Sequence, residues 1–344
     1  MSRNSLTTDF YAKRILSRIK KAECGRIEIT LPNHQSVSHL GKQTGHNVSI
    51  EFKTWKSFFQ YVLVGQLSFV EAYIDGDINI SNLSALFHWF VDNEKYFPEK
   101  QNSRFSDIIN RFSHLILNDN SRDGSRKNIS FHYDLGNDFY KKWLDETMTY
   151  SAGIFADTKN LPASQASKYA RIVDQLELSD GDSVLEIGCG WGGFAEHTLT
   201  RHHIDYRDTK GTFDKIVSIE MFEAVGEKHW QSYFETIKSR LKPSGKAVIQ
   251  VITIEHDRYL RYRNRVDFIQ KYIFPGGMLP SKQVFVDHAQ KAGLKIVDEF
   301  AFGQDYAQTL RLWKENFLHN WSDIEQLERN TIDVMHYSVV HDHA

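Results

Sequence analysis

The sequence predicts an α/β fold in which helices flank a parallel sheet, preceded by a small α+β domain. The first observation is an apolar run, Ser183 to Ile187, that leads into a turn with four glycines and then a helical pattern up to His203. A strand, a glycine turn and a helix in that order are typical of a nucleotide-binding unit. The second observation is another apolar run, Lys215 to Ile219, which predicts the next buried strand.

Length and composition are those of an ordinary globular protein. The chain has 344 residues, a formal net charge of -2, 41% hydrophobic and 25% charged residues, which gives no overall argument for nucleic-acid binding. Two cysteines, Cys24 and Cys189, are too few for a disulfide framework, so a reducing compartment is predicted. No apolar run approaches the roughly 18 residues of a membrane span. The clustered histidines lack the spacing of metal ligands, so no metal site is predicted.

The front domain is predicted to cover residues 1–98. Residues 1–23 are predicted to form a basic, helical arm. Alternation of apolar and polar residues predicts strands at Gly25 to Leu31 and at Val48 to Phe52. Helical periodicity, interrupted by turn residues, predicts the helices. These are Trp55 to Val64, Phe69 to Ile74, and Leu83 to Val91 after a cap at Ser81 or Asn82.

A linker is predicted at residues 99–128, with one amphipathic helix inside it. Its apolar stripe is more typical of packing against a neighbouring domain than of membrane contact. The main domain then covers residues 129–330, and residues 331–344 form a tail. The stripe consists of Ile108, Ile109, Phe112, Leu115 and Leu117.

The glycine turn is the strongest indication of a ligand site. Glycines let the backbone approach a ligand closely, and Glu186 at the end of the strand offers a carboxylate to a cationic or hydroxylated group. The spacing of Gly188, Gly190 and Gly193 also fits a dinucleotide fingerprint, and a plain turn that binds nothing is a further alternative. The acidic residue two positions before the first glycine favours a different cofactor, as motif I of the S-adenosylmethionine-dependent methyltransferases shows the same feature.

Four further stretches resemble one family within that group. They are rich in polar and aromatic residues, and they occur in the order expected for the cyclopropane-fatty-acyl-phospholipid synthases and mycolic-acid cyclopropane synthases. The resemblance extends over about residues 25–320 and includes a Gly-x-x-Ser-x-x-Glu-x-Tyr-x-x-Gly pattern at 65–76. The four stretches are residues 132–140, 144–151, 219–223 and 271–280.

The resemblance implies a fold and an activity. The fold is a class I methyltransferase, Rossmann-like sheet. The activity is transfer of a one-carbon unit from S-adenosylmethionine to the double bond of an unsaturated phospholipid acyl chain. It further implies a cytoplasmic enzyme, peripheral to the inner face of the membrane, with transient membrane-surface contact, no nucleic acid and a homodimer as one oligomeric state. A nicotinamide dehydrogenase is disfavoured, because nothing after the glycines resembles a hydride-transfer acid.

The family motifs also imply site residues. In the family a bound bicarbonate removes the last proton, and a glutamate, a tyrosine and a backbone group hold it. Two positions depart from the pattern: Ala152 stands where many relatives have cysteine, and Gln250 where many have histidine, so a methylene or methyl-branched product is hypothesised. The implied catalytic residues are Glu223, Tyr306, Gln250 and Ile252, and the implied cofactor-binding residues are Tyr150, Ser151, Glu186, Gly188, Gly190 and Gly193.

One piece of the expected sheet is missing from the sequence. Between Gly193 and Lys215 only 214 − 193 = 21 residues intervene, whereas one strand–helix–strand unit takes about 30 or more. Family strand order is 3-2-1-4-5-7-6, so loss of strands 3 and 2 would truncate the sheet at one edge and leave strands 1 and 4 adjacent. The alternative function is therefore a catalytically impaired, lipid-binding relic of the family.

Overall fold

The computed structural model describes residues 13–97, 135–198 and 210–327. These residues fall into two compact units, each with its own core. The first unit comprises residues 13–97 and the second comprises the other two ranges. The predicted linker helix, residues 132–134 of the stretch 132–140, and the tail 331–344 lie outside the described residues.

The first unit contains a four-stranded sheet in the order β2-β1-β3-β4. Strand β1 runs parallel to β3, and the other two pairings are antiparallel. Along β1, Ile27 and Ile29 point into the core, as period-two alternation requires. The strands are β1 (Cys24–Thr30), β2 (Ser36–Leu40), β3 (Gln43–Phe52) and β4 (Ile78–Ile80).

Each helix of the first unit starts where the sequence supplies a cap or a turn. The Thr54 hydroxyl accepts from the Ser57 N–H, and Asn82 rather than Ser81 caps the third helix by accepting from the Ala85 N–H. Buried Asn93 bonds the backbone of β1 at both the N–H and the C=O of Cys24. The helices are α1 (Trp55–Val64), α2 (Gln66–Ile74) and α3 (Leu83–Asn93), and residues 13–19 are also helical.

The sequence located most of these elements but missed two strands. The bounds of α1 were predicted correctly, and the other predicted elements are shifted or extended by a few residues. The missed strands are β2 and β4. Strand β2 carries two apolar residues, Val37 and the largely exposed Leu40, and β4 has three residues. Such strands exist because of their pairing partners and carry little local pattern.

The second unit contains a parallel sheet with helices packed around it. Its strands are β5 (Val184–Ile187), β6 (Phe213–Ile219) and β7 (Leu241–Gln250). Its helices are α4 (Gly136–Tyr140), α5 (Leu161–Leu176), α6 (Gly193–Thr198), α7 (Trp230–Arg240), α8 (His256–Tyr262), α9 (Lys282–Lys291), α10 (Gly303–His319) and α11 (Trp321–Leu327).

The described sheet of this unit has the order β5-β6-β7, with both pairings parallel. This matches the 1-4-5 part of the predicted order, with strands 1 and 4 adjacent. Strand β5 pairs on one side with β6, and within the described ranges no strand pairs with its other side. The predicted helix up to His203 is described as far as Thr198, and residues 199–209 lie outside the described part of the chain.

The core of the second unit is built largely from aromatic side chains. One face of α7 presents Trp230, Tyr233, Phe234 and Ile237, all fully buried, at the i, i+3, i+4, i+7 spacing of an amphipathic helix. Phe222 stacks on Trp230 at 5.2 Å between ring centroids. This packing fixes the loop that follows β6. Among the described helices, none combines the length and apolarity that a membrane crossing demands.

Candidate active site

The glycine turn joins β5 to α6 in a conformation that requires glycine. Gly188, Gly190 and Gly192 all have positive φ, at 77°, 50° and 88°, which side-chain-bearing residues adopt only at a cost. A Cβ atom on Gly188 would lie 2.4 Å from Met221 Cγ. The turn after β5 and the loop after β6 therefore touch, as expected where the carboxyl ends of parallel strands meet.

Glu186 lies one residue before the end of β5, next to this turn. Its Oε2 atom is buried and has no hydrogen-bond partner among the described residues. Burial raises the pKa of Glu186 to about 7, and the positive charge of Lys168 acts in the opposite direction. A buried carboxylate oxygen without a partner is costly unless a ligand satisfies it, so this atom marks a binding position for a donor group.

Helix α5 presents a polar face to the same region. Its N-terminus is capped by the Asn160 side chain, and its buried positions include Gln165, Lys168 and Tyr169. The Lys168 ammonium donates to the Ser151 hydroxyl at 2.6 Å, and the Gln165 amide donates to the Ser151 carbonyl at 2.9 Å. Ser151 is thereby held at both its side chain and its backbone.

Two carboxylates lie together at the end of β6. Glu220 accepts hydrogen bonds from the Ala152 N–H at 2.9 Å and from the Gln250 amide at 2.7 Å. Glu223 accepts from the Ile252 N–H at 2.6 Å, while its Oε2 atom is buried without a partner among the described residues. Burial and the charge of Glu220 together raise the pKa of Glu223 to about 8.

Tyr306, on α10, faces this pair of carboxylates. Burial raises the pKa of its hydroxyl, and the negative charges of Glu220 and Glu223 raise it further. The same charges that act on Tyr306 act on one another, so the three side chains share one electrostatic environment. Helix α10 is tied to the neighbouring loop because Thr309 accepts from the Gly153 N–H at 3.0 Å.

Tyr150 lies in an aromatic cluster at the edge of the site. Its ring centroid is 5.3 Å from that of Trp313, 5.4 Å from that of Trp143 and 5.8 Å from that of Tyr140. It also stacks on Phe274 at 6.4 Å, which belongs to the segment between β7 and α9. Residue 150 thus links the glycine-turn side of the site to the segment between β7 and α9.

The structure brings the sequence-predicted residues into one neighbourhood. Tyr150 and Ser151 lie beside α5, Glu186 and the three glycines form the end of β5 and its turn, and Gln250 and Ile252 hold the two glutamates. The roles of these residues as cofactor ligands or catalysts stay predictions. Sequence reasoning missed Lys168, Gln165 and the contacts of Glu220. The signal available for Lys168 and Gln165 was weak, because they are polar residues on the inward stripe of an amphipathic helix.

The residues fit a cationic cofactor better than an anion. Glu186 and Glu223 each have an unpartnered buried oxygen, and glycines leave room for close approach, so the site suits a ligand with ammonium, sulfonium or hydroxyl groups. For bicarbonate the fit is poor: the Ile252 N–H and the Gln250 amide already donate to Glu223 and Glu220. The negative charge of Glu220 would also repel an anion at that position, so the residues present do not fit bicarbonate.

Comparison with known proteins decides the family. A family profile described as Mycolic acid cyclopropane synthetase matches residues 120–205 and 199–340, which is more than half of the chain. The chain belongs to the mycolic acid cyclopropane synthetase family. The chain is 32% identical over 299 residues to cyclopropane-fatty-acyl-phospholipid synthase of Escherichia coli strain K12. The match covers 78% of this chain and 76% of that protein.

Other similar proteins agree with this family. Tuberculostearic acid methyltransferase UfaA1 of Mycobacterium tuberculosis is 39% identical over 250 residues, 61% of this chain and 58% of that protein. The chain therefore spans a little over half the length of this relative. Among solved structures, mycolic acid cyclopropane synthase CmaA1 complexed with SAH and CTAB has a TM-score of 0.54 and 25% identity, covering 63% of this chain and 90% of that chain.

The cyclopropane synthase MmaA2 from Mycobacterium tuberculosis has a similar fold, with a TM-score of 0.56 and 23% identity. The match covers 63% of this chain and 90% of that chain. The predicted fold class, a Rossmann-like methyltransferase sheet, is confirmed. At the level of the cyclopropane synthetase family, the predicted enzyme class, methyltransferase, and the predicted cofactor, S-adenosylmethionine, are also confirmed.

Proposed function

We propose that this cyclopropane synthetase family member transfers the methyl carbon of S-adenosylmethionine to the double bond of an unsaturated acyl chain in a membrane phospholipid. The observation that carries the proposal is the meeting of two features at the carboxyl ends of three parallel strands. One is the glycine turn with the unpartnered Glu186 oxygen, and the other is the Glu220 and Glu223 pair. The name of the Escherichia coli relative supports phospholipid acyl chains as the substrate class.

The residues have separable tasks in this reaction. When bound, S-adenosylmethionine supplies an electrophilic methyl group. Glu186 accepts a hydrogen bond from the ammonium or hydroxyl end of the cofactor, and Ser151 and Tyr150 line the same side. Each of these interactions orients the methyl group toward the double bond, which is a large part of what such catalysis needs.

A proton must then leave the methylated acyl chain. The carbon–carbon π electrons would form the new bond to the methyl carbon while the methyl–sulfur bond breaks and its electron pair stays on sulfur, so the chain would become a cation, and loss of one proton would give a ring or a methylene group. Among the described residues, Glu223 is placed to take that proton, and its pKa of about 8 suits a general base near neutral pH. The Ile252 N–H positions the carboxylate, Gln250 holds Glu220, and Tyr306 closes the other side.

The test uses purified protein with labelled methyl donor and phospholipid vesicles. Vesicles of unsaturated lipid are expected to gain one CH2 unit per modified chain by mass spectrometry, and vesicles of saturated lipid none. Glu223→Gln is expected to lower the rate by roughly 10² to 10⁴, the usual range for loss of a general base. The exposed Glu177→Gln is the matched control. Label in neither kind of vesicle would contradict the proposal.

The product depends on how the cation loses its proton. Ala152 offers no side-chain hydrogen bond, and Gln250, bonded to Glu220 at 2.7 Å, cannot carry a positive charge at neutral pH. This favours the hypothesis of a methylene or methyl-branched product. NMR of the released fatty acids distinguishes ring protons from vinyl protons, and a purely ring-closed product would reject the hypothesis.

A lipid-binding protein without methyl transfer is the second candidate. The observation in its favour is the short connection between β5 and β6, which leaves 214 − 193 = 21 residues between Gly193 and Lys215 and no room for the strand that would contact the cofactor ribose. Calorimetry separates the two candidates. Binding of S-adenosylmethionine in the micromolar range supports the enzyme, and no binding at millimolar concentration supports the relic.

The surroundings of the protein remain part of the proposal. We expect a cytoplasmic protein that contacts the inner face of the membrane transiently, since its substrate chains lie in the bilayer. Flotation with vesicles tests this contact. A homodimer likewise stays a prediction, which sedimentation of the purified protein tests.

A further inference from the structure

One side chain in the site carries a charge that neither the fold nor the proposed proton transfer explains. Lys168 on α5 has 0% exposure, although lysine is almost never fully buried without a partner. Its neighbours on the same helix face are Gln165 and Tyr169, which are also buried. A buried ammonium is expensive to desolvate, and an apolar residue of similar length often serves the fold equally well or better.

The buried polar face of α5 contacts residues 149–151. The Lys168 ammonium donates to the Ser151 hydroxyl at 2.6 Å and lies 4.7 Å from the centre of the Tyr169 ring. The Tyr169 hydroxyl is bonded to the Thr149 hydroxyl at 2.7 Å. A Cβ atom on Gly193 would lie 2.6 Å from the Tyr169 hydroxyl oxygen, so the same face also touches the glycine turn.

Carboxylates face Lys168 from three different segments. They are Asp145 from the loop before residue 149, Glu186 from β5 and Glu220 from the end of β6. Their charges act against burial, which lowers the pKa of Lys168 to about 7. In return the Lys168 charge lowers the pKa values of Glu186 and Glu220, both of which burial raises.

Two more titratable groups feel the charge of Glu186. They are the Tyr169 hydroxyl and the Cys189 thiol, whose pKa values burial raises and the Glu186 charge raises further. Both groups are neutral at pH 7. Of the charged groups that act on Glu186, Lys168 is therefore the one that favours the ionised carboxylate.

We infer that Lys168 is a positioning residue for the cofactor: its buried ammonium fixes the Ser151 hydroxyl and its charge acts on the Glu186 carboxylate, so that S-adenosylmethionine binding depends on a residue that need not touch it. This inference rests on the proposed function, because it assigns Glu186 and Ser151 to the cofactor. It extends that function by making cofactor affinity depend on pH through a cation on α5.

The pH dependence has a definite sign. Glu186 binds a donor group best as the carboxylate, so affinity is expected to rise as the pH rises through about 7. Without the Lys168 charge the pKa of Glu186 moves up, because the interaction that lowers it is lost. The rise in affinity then shifts to higher pH.

Titration calorimetry with S-adenosylhomocysteine between pH 6 and 9 tests the inference. Lys168→Met is expected to weaken binding about tenfold at pH 7, a typical loss for a charge-assisted contact, and to move the midpoint of the pH dependence upward. Lys168→Arg keeps the charge and is expected to keep the midpoint. Lys246→Met is the matched control, because Lys246 pairs with the largely exposed Glu177.

Each outcome decides the inference. An equal loss of affinity at every pH would mean that Lys168 acts through packing alone, and unchanged binding would exclude any role; either result overturns the inference and leaves the proposed function standing. If the wild-type protein binds no S-adenosylhomocysteine, the proposed function fails and the inference fails with it. If Lys168→Met does not fold, Lys168→Gln, which keeps a donor without the charge, gives the same pH measurement.

Discussion

At the scale of single residues, Glu223 destabilises the folded chain when it is ionised, although the proposed proton transfer needs the ionised form. Its carboxylate accepts a hydrogen bond from the Ile252 N–H, and its Oε2 atom is buried without a partner among the described residues. Burial and the charge of Glu220 raise its pKa to about 8 in the folded chain, against an ordinary value of 4.5. Between these two values the folded state holds a proton that the unfolded state has released. Stability is therefore lost as the pH rises from about 4.5 to about 8.

Glu223→Gln removes this titration. Relative to the wild-type protein, the variant is expected to gain roughly 1 to 3 kcal/mol between pH 5 and pH 9, while losing activity. Urea unfolding at pH 5, 7 and 9 measures the difference, in which the contributions of other groups cancel. Glu177→Gln, at the surface, is expected to show no such change over that range. A variant whose stability followed that of the wild type at all three pH values would contradict the account of Glu223.

Glu223, Tyr306 and Lys168 show which site residues the sequence could predict and which it could not. Glu223 and Tyr306 were predicted because they match family motifs, and the structure puts them in one electrostatic environment. Lys168 was missed, because a lysine in a helix is normally a solvated residue and nothing local indicates that this one is buried. Its partners Asp145, Glu186 and Glu220 come from three distant segments, so its environment exists only in the folded chain.

At the scale of elements, the turn between β5 and α6 offers a matched pair of glycines. A Cβ atom on Gly188 would overlap Met221 at 2.4 Å, whereas one on Gly190 would meet nothing within 4 Å, and both residues have positive φ. Gly190→Ala therefore carries backbone strain alone, roughly 1 kcal/mol, and Gly188→Ala carries strain and overlap, roughly 2 to 4 kcal/mol.

Thermal unfolding and S-adenosylhomocysteine binding of the two alanine variants test this difference. Gly188→Ala is expected to lose both stability and affinity because Met221 must move, and with it the loop that holds Glu220 and Glu223. Equal stability of the two variants would show that the loop after β6 is free to shift.

Elements with strong local signals were the ones that the sequence located. Helix α1 begins after the Thr54 cap and ends at Gly65, and both signals are visible in the sequence. Strands β5 and β6 were found from their apolar runs, although β6 begins two residues earlier, at Phe213. The missed strand β2 has alternating exposure and few apolar side chains, so it depends on its pairing with β1.

At the scale of the whole molecule, the described sheet of the second unit has three strands where the family order has seven. The order β5-β6-β7 keeps the strands whose ends carry Glu186, Glu220 and Gln250. In the proposed function, this is the part of the site that faces the methionine and methyl end of the cofactor. The part that would face the ribose depended on strand 2, for which the sequence has no room.

This asymmetry predicts which half of the cofactor supplies the affinity. In competition with S-adenosylhomocysteine, S-methylmethionine is expected to displace the ligand at millimolar concentration, and adenosine at the same concentration is not. Equilibrium dialysis with labelled ligand measures both. Displacement by adenosine alone would show that another segment replaces the missing ribose contacts.

The backbone at Glu220 has a consequence for anyone who tries to improve this protein. Its φ of 47° lies in the left-handed region, where a residue with a side chain is held at a cost of about 1 kcal/mol or more, and its carboxylate is buried beside a second one. Glu220→Gly would relieve that strain, yet it would also leave the Ala152 N–H and the Gln250 amide without their shared acceptor and remove a counter-charge of the buried Lys168 ammonium. A directed-evolution campaign selecting for heat resistance alone is therefore expected to keep this glutamate, so that selection for durability and selection for activity protect the same residue.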